Sequence, residues 1–299
     1  MEETRCIYKN DREYPANMRN YSSMPEQLYV KGKLPVAGQP AVAIVGARMC
    51  SPYGRIQAFR FGKVLSRHGI QIISGMALGI DSEGHKGALE GRTPTFAVLG
   101  CGCDVVYPAR NRSLYDRILR SGGGIISEYA PGTPPMKFCF PARNRIISAL
   151  ADAVLVIEAK ENSGSLITAG FALEMGKAVF ALPGPVTENL SIGCHKLIYD
   201  GAGIAYSPEV VLQELGISSE EKESEETKEK NRDSGKKNKI GLARDLNLVY
   251  SCLDLRPKSL DDIIRKTGLA PETVSRCAVE LTLLGWIEET GRHYYVKVK

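Results

Sequence analysis

Residues 41–81 read AVAIVGARMCSPYGRIQAFRFGKVLSRHGIQIISGMALGID. Two apolar runs, Ala41–Val45 and Ile70–Ser74, flank a helix-length segment, Tyr53–His68. Neither run alternates apolar with polar residues, so both faces of each strand must be covered, as in a buried parallel sheet. The pattern continues downstream in Thr95–Leu99, Gly124–Ser127, Ala153–Ile157 and Ala178–Leu182, with helix-length segments at Ser82–Leu89, Arg112–Arg120 and Leu166–Met175. This alternation predicts an α/β domain with a doubly wound, mostly parallel sheet.

The rest of the chain fits around that domain. Its 299 residues are 43% hydrophobic and 24% charged, the profile of a globular protein rather than a disordered tail or a fibre. The length accommodates one large domain and one small one. Residues 1–40 form an N-terminal extension, 41–217 the large domain and 240–299 the small one. Between the domains, residues 218–239 read SSEEKESEETKEKNRDSGKKNK, with seven acidic, seven basic and no apolar side chains, which predicts a disordered linker. The eight cysteines are thinly spread and the start of the chain has no apolar run, so a cytoplasmic protein with reduced thiols and no membrane association is expected. A net charge of +5 is too small to identify a nucleic-acid binder by bulk electrostatics.

In a doubly wound sheet the ligand crevice lies beyond the carboxyl ends of the strands. There the sequence reads Gly46-Ala47-Arg48, Ser74-Gly75-Met76-Ala77, Gly100-Cys101-Gly102-Cys103-Asp104, Ser163-Gly164-Ser165 and Pro183-Gly184-Pro185. Small residues let a backbone approach a ligand, and loop amides opening a helix donate to phosphate. Gly100 and Gly102 lack the third glycine of a dinucleotide fingerprint, and Gly170–Ala178 lacks both the spacing and the hydroxyl of a P-loop. No nucleophile elbow is present, the four histidines are scattered, and Cys101 and Cys103 have no second close pair to complete a zinc site. Neither a metal nor a cofactor is expected.

The densest motif is FCFPARNRIISAL at 138–150, which sets Arg143, Asn144 and Arg145 at a helix start after Phe138 and Phe140. Guanidiniums there can grip phosphate, and an aromatic can stack on an unpaired base, which is the chemistry of single-strand binding. The competing reading pairs Arg143 or Arg145 with an internal carboxylate such as Glu158 or Glu174, with Phe140 in the core.

The chain resembles the DprA/Smf family of DNA-processing proteins. The resemblance rests on AIVGAR ending at Arg48, SGMALGID at 74–81, GCGCDVVYP at 100–108, FPARNRIISAL at 140–150 and SGSLITAGFALEMGKAVFALPG at 163–184, in the family's order. It implies an extended Rossmann-like fold, a homodimer, and a non-enzymatic protein that binds single-stranded DNA and helps load the recombinase RecA onto incoming DNA in natural transformation. It also implies a DNA-binding pocket lined by Arg48, Arg143, Asn144, Arg145, Ser163, Gly164, Ser165 and Thr168, with Lys137 and Phe140 flanking. Leu78 and His195 depart from the residues often found in the family, Arg and Asn respectively.

In the small domain, Leu246–Leu253, Ser259–Lys266 and Pro271–Leu284 predict three helices, and Trp286–Glu288 with Tyr294–Val298 a two-stranded wing, together a winged helix. Its third helix has Arg276 as its one basic residue beside Glu272 and Glu280, which favours protein contact or regulation over duplex readout. The alternative for the whole protein is an enzyme hydrolysing nucleoside monophosphates on a related fold, loosely matched by Gly164, Thr168 and Glu174. Asn162-Ser163-Gly164-Ser165 stands in place of that group's glycine-rich loop.

Overall fold

All six apolar runs of the large domain form strands, and two more precede them. Along the chain these are β1 (Arg5–Tyr8), β2 (Gln27–Gly32), β3 (Ala41–Val45), β4 (Gln71–Ser74), β5 (Thr95–Leu99), β6 (Gly124–Ser127), β7 (Ala153–Val156), β8 (Ala178–Ala181) and the short β9 (Gly203–Ile204). The helices are α1 (Ala16–Arg19), α2 (Pro52–Arg67), α3 (Ile80–Ala88), α4 (Arg112–Arg120), α5 (Cys139–Leu150), α6 (Gly164–Glu174), α7 (Ile192–Tyr199) and α8 (Pro208–Glu214). The computed structural model describes residues 3–217, 244–254, 257–291 and 293–298. The expected linker, 218–239, lies outside them.

The strands form one sheet in the order β1-β2-β6-β5-β4-β3-β7-β8-β9. From β6 to β9 every pairing is parallel, whereas β2 runs antiparallel to both β1 and β6. The residues set apart as an N-terminal extension thus supply the antiparallel edge of the same sheet, and the unit they belong to spans 1–219. Leu28 and Val30 of β2 are fully buried while their neighbours are half-exposed, the period-2 pattern of a strand covered on one face.

Why the central strands read as unbroken apolar runs is visible in the packing. Val42 and Ile44 of β3, Ile72 of β4 and Leu155 of β7 belong to a core with Phe61 and Leu65 of α2 and Val211 and Leu212 of α8. Their neighbours Ala43 and Val45, Ile73, Val154 and Val156 point the other way, into a core with Ile146 and Ile147 of α5 and Ala169 and Ala172 of α6. Successive residues therefore enter opposite cores. The chain proceeds outward from β3 to β4, β5 and β6, then returns to lay β7 on the other flank of β3, so the strand order reverses between β3 and β7.

The second unit, 220–299, contains α9 (Arg244–Cys252), β10 (Lys258–Ser259), α10 (Leu260–Thr267), α11 (Pro271–Leu283), β11 (Ile287–Gly291) and β12 (Tyr294–Lys297). Three helices and a three-stranded sheet ordered β10-β12-β11 make the winged helix. Ser259 caps α10 by accepting from the Asp262 amide at 3.1 Å, Gly268 ends it in the left-handed conformation, and Pro271 opens α11. The core of Val249, Ile263, Val274, Ala278 and Leu281 is this unit's own. Among the described residues no helix is long and apolar enough to cross a membrane.

Candidate nucleic-acid interface

A cavity of about 550 Å³ opens at the carboxyl ends of the strands, at the point where the strand order reverses. The loop after β3 contributes Gly46 and exposed Arg48, and the loop after β7 contributes Ser163, Gly164 and Ser165 at the start of α6. The two loops are tied by the Ala47 amide, which donates to the Glu158 carbonyl at 2.8 Å. Lys137, Phe140, Pro141, Arg143 and Asn144 line the cavity from the start of α5. Asn144 links the helices by donating to the Gly164 carbonyl at 3.1 Å. The N-termini of α5 and α6 thus converge on one space, and their dipoles favour an anion there.

Arg143 forms part of the floor. It is 4% exposed, and its Nη1 donates to the carbonyls of Gly75, at 2.8 Å, and Val98, while Nε donates to Asn144 Oδ1 at 3.2 Å. The guanidinium lies so close over Gly75 that a β-carbon there would stand 2.5 Å from Nη1, so any side chain at this position would have to displace Arg143. The turn that follows holds Met76 at φ +60° and Gly79 at φ +80°, two left-handed residues in four. At Gly79 a β-carbon would stand 2.3 Å from the Ala47 carbonyl, so the loop bearing Arg48 also seats on a glycine.

One wall is aromatic. Tyr107 stacks on Phe140 with ring centroids 5.5 Å apart at 28°, and the Arg48 guanidinium lies over the Phe140 ring at 5.1 Å. A π face backed by a cation is a platform for an unpaired base.

The wall also includes an acid. Asp81, at the first turn of α3, lines the cavity and is 6% exposed. Its Oδ2 accepts from the amides of Gly75 at 3.2 Å and Ala77 at 3.4 Å. Burial pushes its pKa above the usual carboxylate range, against the pull of Arg143, the two amides and Arg48. Burial works in the same way against the charge of Arg143, which Asp81 supports. His85, one turn along α3, is pulled down to about 3 by burial and by Arg143; because Thr95 Oγ1 donates its proton to the Ile72 carbonyl, Nδ1 is the donor in the 2.7 Å bond between His85 and Thr95 Oγ1. Glu158, also raised by burial, accepts from the Ser51 amide and hydroxyl and so anchors the start of α2.

Nine of the ten site residues expected from the sequence line this one cavity: Arg48, Lys137, Phe140, Arg143, Asn144, Ser163, Gly164, Ser165 and Thr168. Arg145 does not. It makes a two-pronged pair with Glu128, Nη2 to Oε2 at 2.6 Å and Nη1 to Oε1 at 3.2 Å. Two steps along a helix turn a side chain about 200° from Arg143, and that direction leads to the end of β6. Its carboxylate partner is thus Glu128, neither Glu158 nor Glu174. Leu78 is partly exposed beside the smaller cavity that shares Arg48, Phe140 and Arg143, whereas His195 lies outside both and bonds the Gly184 carbonyl through Nε2 at 3.0 Å. Asp81 and Tyr107 were not singled out in the sequence, although both fall inside quoted motifs, SGMALGID and GCGCDVVYP. Glu174 is an exposed residue at the far end of α6, about 15 Å along the helix from Gly164.

The sequence and fold have known counterparts. The family model described as DNA recombination-mediator protein A matches residues 5–216, and a DprA winged helix domain matches residues 236–291. DNA processing protein DprA of Streptococcus pneumoniae is 44% identical over 202 residues, 68% of this chain and 71% of that protein. Protein Smf of Escherichia coli is 42% identical over 202 residues, and the match spans 54% of its length. The X-ray structure of the pneumococcal protein superposes with a TM-score of 0.67 at 42% identity, covering 71% of this chain and 74% of that one. DNA processing protein A from Helicobacter pylori, whose structure is described for its single-stranded DNA binding mode, superposes with a TM-score of 0.64 at 29% identity, covering 72% of this chain and 98% of that one.

Proposed function

Because the chain belongs to the DNA recombination-mediator protein A family, the DprA/Smf proteins, we propose that it binds single-stranded DNA in the cavity between α5 and α6 without cutting it. The observation that carries this reading is the pairing, in one cavity, of an anion-favouring end with an aromatic wall. Exposed Arg48 and Lys137 and the two helix N-termini suit backbone phosphate, and Phe140 with Tyr107 suits a base face. A duplex presents no free base face to such a wall. The enzyme alternative gains no support from Glu174, which stands at the far end of α6 from Gly164.

Membership of the family extends the proposal to a cytoplasmic homodimer that protects incoming DNA and delivers it to RecA during transformation or recombination. The winged helix serves protein contact or regulation, in keeping with the acidic Glu272 and Glu280 beside Arg276 on α11. The test is a binding series on single-stranded and duplex DNA of one sequence over a range of salt. Single strands are expected to bind far more tightly, with a log–log salt slope of about 0.7 for each phosphate neutralised. Equal affinity for the two forms overturns the proposal.

A further inference from the structure

We propose that Asp81 reads the edge of a base held in the cavity and favours bases with an exocyclic amine, namely cytosine, adenine and guanine, over thymine. This rests on the single-strand reading above and adds to it a preference at one nucleotide position. A surface built for phosphate alone would present donors and cations throughout. Here a carboxylate lines the same cavity as Arg48, Lys137 and Arg143. It repels phosphate, so the part of the cavity beside Asp81 suits a group that brings N–H donors.

In single-stranded DNA those donors lie on the base edges. A carboxylate has two oxygens and roughly four acceptor directions. The contacts that Asp81 makes are long ones, at 3.2 and 3.4 Å, and both go to Oδ2. Acceptor capacity therefore remains for a ligand. The stacking wall of Phe140 and Tyr107 lines the same cavity as the carboxylate, and Arg48, whose charge acts on Asp81, lies over the Phe140 ring, so the proposal places the edge of a base stacked there against Asp81. Cytosine and adenine offer an amino group, and guanine offers an amino group beside a ring N–H. Thymine offers one N–H flanked by two carbonyl oxygens, whose lone pairs oppose a carboxylate. Burial strengthens the choice, because a desolvated acceptor left without its donor is costly.

The experiment compares oligo-dC with oligo-dT of equal length on the full chain, since these pyrimidines differ at the edge that Asp81 would read. Oligo-dC is expected to bind about tenfold more tightly, the size of one good contact between a side chain and a base. Replacing cytosine by N4,N4-dimethylcytosine removes the donors and should bring the affinity down to that of oligo-dT. Asp81→Asn, checked by its melting temperature, should bring the dC-to-dT ratio to about one, mainly by weakening oligo-dC. Equal binding of both strands by the wild type overturns the base assignment alone. So does an Asp81→Asn variant that binds both strands more tightly by the same factor, which would mean that the carboxylate only repels the backbone. If Asp81→Asn fails to fold, the wild-type ratio and the methylated strand decide. If neither strand binds, the single-strand reading is overturned, and this inference with it.

Discussion

Arg48 and Arg143 line the same cavity in opposite environments, and their substitutions should separate accordingly. Arg48 is exposed and lies over Phe140, so Arg48→Ala should leave the melting temperature unchanged and make the salt slope shallower by about 0.7, one phosphate's worth. Arg143 is buried and holds the carbonyls of Gly75 and Val98. Arg143→Ala would strand those carbonyls, each at about 1–3 kcal/mol, so an early melt should accompany any loss of binding. Lysine cannot replace its fork of donors, and Arg143→Lys should also melt early. Melting curves and salt titrations on the same samples check all three. Phe140→Leu should keep an apolar contact yet lose about 1–3 kcal/mol of affinity for a stacked base. The matched control is an oligonucleotide with abasic positions, whose affinity the substitution should leave alone.

At the scale of elements, α3 couples the site to the sheet. One end of it carries Asp81 into the cavity, and His85 meets Thr95 of β5 within the protein. Because the folded pKa of His85 lies near 3 against an ordinary 6.5, the unfolded chain takes up a proton in that window that the folded chain does not. Stability should therefore fall as pH drops from 6.5 towards 3, by up to about 1.4 kcal/mol per pH unit from this one group. Asp81 and Glu158, both raised by burial, act in the opposite sense where their titration overlaps. The contribution is thus read as a difference: His85→Asn should be less stable than wild type at neutral pH but lose less on acidification in chemical denaturation. Helix α5 shows how one helix divides its duties, with Arg143 and Asn144 facing the cavity and Arg145 clamped to Glu128.

The molecule as a whole is built from two units with separate cores. The cores of the first draw on residues from Ile7 to Leu212, and that of the second on Leu246 to Tyr295. Every residue of the cavity belongs to the first unit. A chain ending at Ser219 should therefore fold, melt in one transition and bind single-stranded DNA with the affinity of the full chain. Calorimetry and a binding titration on that fragment are the checks. A folded fragment that has lost affinity would place the winged helix in DNA binding instead of regulation.

The alternation of apolar runs with helix-length segments determined the doubly wound sheet, because strands buried on both faces must be apolar throughout and the parallel crossovers need helices. The pattern also put the loops at one side of the sheet, where the ends of parallel strands lie, while the ten site residues came from the family resemblance; nine of them line one cavity. Three things were decided only by tertiary structure. β1 and β2 join through partners far along the chain: Tyr29 lies opposite Ser127, a pairing that no local pattern encodes, though the alternation of Leu28 and Val30 was a faint sign of a strand. The role of Arg145 depended on where Glu128 ended up, because two neighbouring arginines on a helix look alike until a partner lies on one side. Asp81 entered the cavity for the same reason. A carboxylate in a glycine-rich motif is ambiguous until the fold sets it beside Arg143 and an aromatic wall, since its chemistry depends on neighbours that the chain brings from elsewhere.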